Sequence, residues 1–282
     1  MASNHFDALI DLLTAASFED TRIAAAFVGG SRGAGIADEH ADIDLYLILR
    51  DDRYDDFFAV RHQFMGRLGD PVFLEDFNGF GFDMLLFIFA DGVEGELVLA
   101  RASAFEHIPS GPFRALIDRD GILPPGPFPP IKQRTVPEQR EELRWLLHWF
   151  WRDLSQLSRW MARGRLWSAY AHLEMMRHTC LNLVRLRHDF TWRLESYHKL
   201  EAAADAEDLA CFQRTFCMVE REAMLGAVCS LLEIYVRIAP PLAAEHGASY
   251  PAELHDVVLR RLEEACGSSL DTAAIRWPAQ SG

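Results

Sequence analysis

The chain has 282 residues, long enough for two domains at about 150 residues each. Hydrophobic residues make up 50% and charged residues 25%, a globular balance that excludes an intrinsically disordered chain. With 28 Lys and Arg against 42 Asp and Glu the formal charge is −14, which excludes the broad cationic footprint that a nucleic-acid polymer requires. A small basic pocket for one nucleotide stays compatible with that charge.

Residues 4–16 predict an opening amphipathic helix, with Phe6, Leu9, Ile10 and Leu13 on one face. Residues 24–28 predict a first strand ended by Gly29 and Gly30, and residues 43–49 a second, rich in aliphatic and β-branched side chains. Residues 54–68 read as a helix closed by Gly69 and Pro71. Residues 84–90 and 95–100 read as two further strands, parted by the turn pair Asp91-Gly92. Helices before and between strands indicate a small α/β or α+β domain.

The character changes at residues 122–131, ILPPGPFPPI, where five prolines and a glycine cannot sustain a helix or a central strand. This gives an α/β or α+β domain over residues 1–121, a Pro-rich linker over 122–136 and a helical domain over 137–282. Pro137-Glu138 opens a helix carrying Leu143, Leu146, Leu147, Phe150, Leu154 and Leu157 at three- and four-residue spacing. Gly164 breaks it. Helices are expected over 166–187, 206–238 and 252–265, and their short breaks suggest an up-down bundle. The Trp145, Trp149, Trp151 and Trp160 cluster is read as core and interhelical packing rather than a stacking platform.

The five cysteines, all in the second half, include no CxxC pair and read as small core hydrophobes in a reducing compartment. The N-terminus lacks a signal core, and apolar runs such as residues 84–90 fall short of the roughly 20 residues a membrane helix needs. A cytoplasmic location with no membrane partner follows. The eleven histidines include no HExxH, and neither a Walker loop nor a nucleophile elbow occurs.

The informative stretch is residues 29–49, GGSRGAGIADEHADIDLYLIL. Strand side chains alternate, so Asp42 and Asp44 project from one face while Ile43 and Leu45 project from the other. Two adjacent carboxylates repel unless a cation neutralises them. A hard divalent ion shared with substrate phosphates answers that need, and Mg²⁺ is the usual choice. Gly30 lets the backbone approach a phosphate, and the Ser31 hydroxyl with its neighbouring N–H groups can bond the oxygens. Arg32 is either a phosphate ligand or a solvated loop cation. Farther on, Glu174 and Arg177 share a helix face, forming either an internal ion pair or, through Arg177, a phosphate contact. His178 and Lys199 are further candidates of the same kind.

The GGS…DxD segment resembles the nucleotidyltransferase superfamily that includes DNA polymerase β and the antibiotic nucleotidyltransferases. That resemblance implies an α+β enzyme with a mixed sheet in the N-terminal domain, a C-terminal helical bundle, and a third carboxylate on a strand next to the acid pair. Glu96 in GELVLA is the first candidate, with Glu94 second and Asp83 and Asp91 weaker. GELV, RALIDRDGIL and the helical stretch LHWFWRDLSQLSRWMARGRLWSAYAHLEMMRHTCLNLVRL are similar to lincosamide nucleotidyltransferases. The resemblance implies Mg²⁺ on Asp42 and Asp44, ATP or another nucleoside triphosphate as co-substrate, and Glu96 as the base that deprotonates a drug hydroxyl. A lincosamide is the first acceptor implied and an aminoglycoside the second; a toxin–antitoxin enzyme acting on a protein is the other alternative. The tryptophan-rich helices leave room for a homodimer.

Overall fold

The computed structural model describes residues 2–129, 135–190, 197 and 200–266. The chain divides into two compact units, Met1–Lys132 and Gln133–Gly282.

The first unit is built on a six-stranded sheet. Its strands are β1 (Ile23–Val28), β2 (Ile43–Leu49), β3 (Pro71–Phe77), β4 (Asp83–Phe89), β5 (Glu94–Arg101) and β6 (Arg114–Asp118), in the order β3-β4-β5-β2-β1-β6. β2 and β5 run parallel and the other neighbours antiparallel, so the sheet is mixed. All six residues of β1 are buried, as a central strand covered on both faces requires.

One face carries Ile43, Leu45, Leu47, Leu97 and Leu99 and is covered by α1 (Ala2–Glu19), α3 (Tyr54–Phe58) and α4 (Arg61–Leu68). The stripe Phe6, Leu9, Ile10 and Leu13 docks α1 there. A fully buried Leu such as Leu13 contributes about 1.5–3 kcal/mol by leaving water. The other face carries Phe27, Tyr46 and Ile48, packed against Phe105, Phe113 and Phe128. The helix expected over 54–68 is in fact two. Phe57 and Phe64 are seven residues apart, about 10 Å along a straight helix, yet their rings meet at 5.1 Å. The break between α3 and α4 allows that contact.

The Pro-rich stretch is not wholly a linker. The N–H groups of Ile122 and Leu123 donate to the Asp118 carboxylate at 2.9 and 3.2 Å, and Phe128 bridges to Gly111 and is buried beneath the sheet. Residues 122–129 are thereby fastened to the first unit; 130–134 lie outside the described residues.

The second unit is helical: α5 (Val136–Ala162), α6 (Leu166–His188), the single turn α7 (Leu200–Ala203), α8 (Ala206–Gln213), α9 (Arg221–Glu245) and α10 (Ala252–Cys266). Thr135 caps α5 through a reciprocal capping box with Glu138, and Pro137 sits in its first turn. α5 packs on α6 and α10, and α6 also on α9. The helix expected over 206–238 is broken between α8 and α9, and α9 runs through Pro240 and Pro241 rather than stopping at Ile238. By length and composition α9 is apolar enough to cross a membrane, a stretch that the sequence reading passed over; most of it is buried in the helical core. The Tyr235 hydroxyl on α9 donates to the Leu147 carbonyl at 2.7 Å, with its ring stacked 3.9 Å from that of Phe150.

The tryptophans part company. Trp151 is fully buried, whereas Trp145 is exposed and stacks on Trp149 at 5.0 Å outside the core. Cys180 and Cys211 are buried and Cys217 and Cys229 half-buried, all four as free thiols.

Candidate active site

The site begins where β1 ends. The Gly29 N–H donates to the Asp44 carbonyl at 2.8 Å, extending the β1–β2 pairing by one bond. Gly30 then turns the chain with φ of 53°, and Gly30–Gly33 forms a single helical turn, α2. A β-carbon at Gly30 would collide with the Asp44 carboxylate, and one at Gly33 with the Val28 carbonyl oxygen. Only glycine lets the turn lie this close to the strand ends. The leading N–H groups of a helical turn have no partner within it, and here they stand beside the Ser31 hydroxyl.

Asp42 is exposed just before β2, Asp44 is half-buried within it, and Tyr46 follows on the same face. The β2–β5 register pairs Asp44 with Glu96, so these two acids are neighbours on one face. Glu94 lies one residue before the first register pair, Ile43 with Gly95, and is exposed. Asp83 is on the opposite face, where it accepts from the Tyr54 hydroxyl and from Asn78 Nδ2, each at 2.5 Å. Asp91 accepts from the Val93 N–H in its turn. The geometry therefore brings Glu96, and not these rivals, beside Asp44.

Burial pushes the Glu96 carboxyl above the ordinary carboxylate range, and the negative charges of Asp44 and Asp42 push it further. Burial also lifts the Tyr46 phenol to about 12, with Asp44 and Glu96 adding to the effect. Tyr46 stacks on Phe27 at 4.5 Å and walls the acids on their inner side. The sequence reading missed Tyr46, although the period-two series Asp42, Asp44, Tyr46 points to it.

Arg32 is differently placed than a free phosphate ligand. Its Nε donates to the Asp42 carbonyl at 2.9 Å and its Nη2 to the Ala41 carbonyl at 2.5 Å, while the guanidinium lies 3.3 Å from the Phe6 ring centroid. It clips the spacer loop to the turn and to α1.

Arg177 makes the ion pair with Glu174, one of the two readings its helix spacing allowed, rather than facing a phosphate. It has no exposed surface; Nε donates to Thr215 Oγ1 at 2.7 Å, Nη2 to the Thr215 carbonyl at 2.6 Å, and the third nitrogen pairs with Glu174. Its donors are spent within the helical unit, because a buried guanidinium must be answered locally. His178 rests edge-on to Tyr197 at 5.4 Å. Lys199 lies outside the described residues.

Among the described residues no three His, Cys, Asp or Glu side chains form a ready-made metal cage. Mg²⁺ commonly takes one or two carboxylates and completes its shell with substrate phosphates and water. The pair Asp42 and Asp44 next to a phosphate-sized turn fits that pattern.

A glycine-rich turn resting on Asp44, with Asp42 and Glu96 alongside, can receive phosphate oxygens and a divalent ion. The protein is a nucleotidyltransferase. Residues 5–264 match the streptomycin adenylyltransferase family, and the chain belongs to it. An aminoglycoside 6-adenyltransferase from Bacillus subtilis is 13% identical, covering 92% of this chain and 98% of its own, with a TM-score of 0.45. A nucleotidyltransferase-like protein from Exiguobacterium sibiricum is 11% identical, covering 91% and 84%, with a TM-score of 0.36. No curated protein matches the chain. The antibiotic-nucleotidyltransferase class expected from sequence holds; the lincosamide enzymes placed first give way to the streptomycin family.

Proposed function

We propose that this enzyme transfers AMP from ATP to a hydroxyl of an aminoglycoside, with Mg²⁺ held by Asp42 and Asp44. The register that sets Glu96 beside Asp44, under the Gly30–Ser31 turn, carries the reading of the site. The family description favours an aminoglycoside over a lincosamide. Mg²⁺ bound there would neutralise the triphosphate and raise the electrophilicity of its α-phosphorus.

The chain's own groups do the rest. The leading N–H groups of α2 and the Ser31 hydroxyl bind phosphate oxygens, and Arg32 keeps the spacer loop folded against them. Glu96 accepts the proton of the acceptor hydroxyl as its oxygen bonds to the α-phosphorus and the bond to pyrophosphate breaks in line. A base whose pKa is raised toward neutrality takes a proton more readily, and general-base catalysis contributes about 10²–10⁴ in rate. ATP as co-substrate and the free cysteines suit a cytoplasmic location.

The test incubates the protein with α-labelled ATP, Mg²⁺ and parallel panels of aminoglycosides and lincosamides. Label should pass to an aminoglycoside with stoichiometric pyrophosphate release. Transfer to lincosamides alone, or to neither class, refutes the acceptor assignment.

A further inference from the structure

Two residues beyond Asp44 the acid face of β2 carries Tyr46, set between Phe27 of β1 and Val98 of β5. The ring lies flat on Phe27, 7° from parallel at 4.5 Å, which fixes its direction. That direction is toward the turn. A β-carbon at Gly29 would stand 2.7 Å from Tyr46 Cε2 and 3.5 Å from Cζ. Gly29 has φ of −100°, which any residue adopts, so the tyrosine ring and not the backbone demands glycine there. The turn thus rests on two successive side chains of one strand face, Gly29 on Tyr46 and Gly30 on Asp44. The phenol oxygen, one bond beyond Cζ, lies beside that turn, near enough to Asp44 and Glu96 for both charges to bear on it.

The other enclosed phenols are bonded within the fold. Tyr54 donates to Asp83, Tyr235 to the Leu147 carbonyl, and Tyr250 bonds His255. The half-buried Tyr46 hydroxyl has no hydrogen-bond partner among the described residues. Enclosed phenols take an acceptor wherever one is in reach. With substrates bound, the metal would claim Asp44 and the acceptor hydroxyl would claim Glu96, which leaves phosphate oxygen as the acceptor for this donor. Transfer requires the α-phosphate to stand between the metal acids and Glu96, and that is the space the phenol borders.

We propose that the Tyr46 hydroxyl donates a hydrogen bond to a non-bridging oxygen of the ATP α-phosphate, making Tyr46 a substrate-binding group and not only the inner wall of the site. The assignment rests on the AMP-transfer reading above. Its test is calorimetry on the full chain with Mg²⁺ and ATP, beside adenosine as a ligand without phosphate. Tyr46→Phe removes one oxygen and keeps the ring that meets Phe27 and Gly29, so the melt should be preserved. Affinity for ATP should fall roughly tenfold, the scale of one hydrogen bond to a charged group, while affinity for adenosine stays the same. The two diastereomers of ATPαS, each with sulfur in place of one non-bridging α-oxygen, locate the bond. Sulfur accepts weakly, so one diastereomer should bind wild type and Tyr46→Phe alike while the other keeps the tenfold difference. Equal affinity for ATP in the two proteins, or no ATP binding by either, overturns the proposal. So does a difference that persists for adenosine or for both diastereomers, as a merely structural contact would give. Tyr46-dependent ATP binding with no antibiotic accepting AMP spares this hydrogen bond and refutes the proposed reaction. AMP transfer by a Tyr46→Phe protein that binds ATP as wild type does is the reverse.

Discussion

Asp208 in the helical unit and Glu96 in the sheet unit are both acids drawn out of water, and their surroundings are opposite. Asp208 has no exposed surface and is gripped on one oxygen by Arg187 and on the other by Arg237. Glu96 is half-buried, and the influences on its charge are burial and two more carboxylates, all unfavourable to it. The fold answers Asp208 internally, so that acid serves structure. It sets Glu96 among like charges, an arrangement that suits an arriving cation and a leaving proton. Burial alone does not separate the two roles; the sign of the neighbours does.

The sharpest way to break this contrast is at the acid pair. Asp44→Asn should lower AMP transfer by at least about 10³-fold with the melt preserved, judged by labelled-ATP turnover. Glu96→Gln should cost about 10²–10⁴ in kcat with little change in nucleotide affinity. Asp208→Asn should leave turnover per folded molecule intact but destabilise the protein by about 3 kcal/mol in urea, because the buried charge shared by Arg187 and Arg237 is removed while each keeps only its outer partner, Asp205 or Glu207. Gly30→Ala must place a β-carbon against the Asp44 carboxylate and hold φ near 53°. A displacement of that kind should cost roughly a hundredfold in kcat/KM.

The smallest effect is the most discriminating. Between its ordinary and its raised pKa, Glu96 keeps in the fold a proton that the unfolded chain has lost. Stability therefore falls as pH rises through that window. Glu96→Gln removes the penalty, so the melting temperature should rise near pH 7 and stay unchanged near pH 4. A fall at both pH values would place Glu96 with Asp208 as a structural acid.

The legible parts of the sequence were those where one physical demand dominates. β1, β2, β4 and β5 are inner strands, and burial on both sides leaves continuous apolar runs such as LYLIL and LLFIF. β3 and β6 are the two edges of the sheet and were not read as strands. β3 is mostly exposed and opens with Pro71, which also looked like a helix stop. The Gly-Gly-Ser turn and the acid pair were visible because steric need and charge repulsion act within a few residues. Choosing Glu96 over Glu94 on spatial grounds needed the β2–β5 register, a long-range fact. The Glu174–Arg177 pair was legible from its three-residue spacing, but the inward turn of the guanidinium shows only in its contact with Thr215. Trp145 and Trp151 differ by six residues and by their side of the helix, a distinction that a count of tryptophans erases.

The parallel pairing of β2 with β5 bears on how the enzyme comes into being. Asp44 and Glu96 meet only after α3, α4, β3 and β4 have been threaded between them, so their union is a non-local event that no early hairpin can supply. Contacts of such wide chain separation form late in folding because the entropy of the intervening loop must be overcome first. The acids Asp42 and Asp44 can be present on a nascent strand, yet Glu96 joins them only when β5 pairs with β2. Refolding chains should thus regain secondary structure well before they regain turnover, and catalytic competence becomes a timer for the β2–β5 pairing.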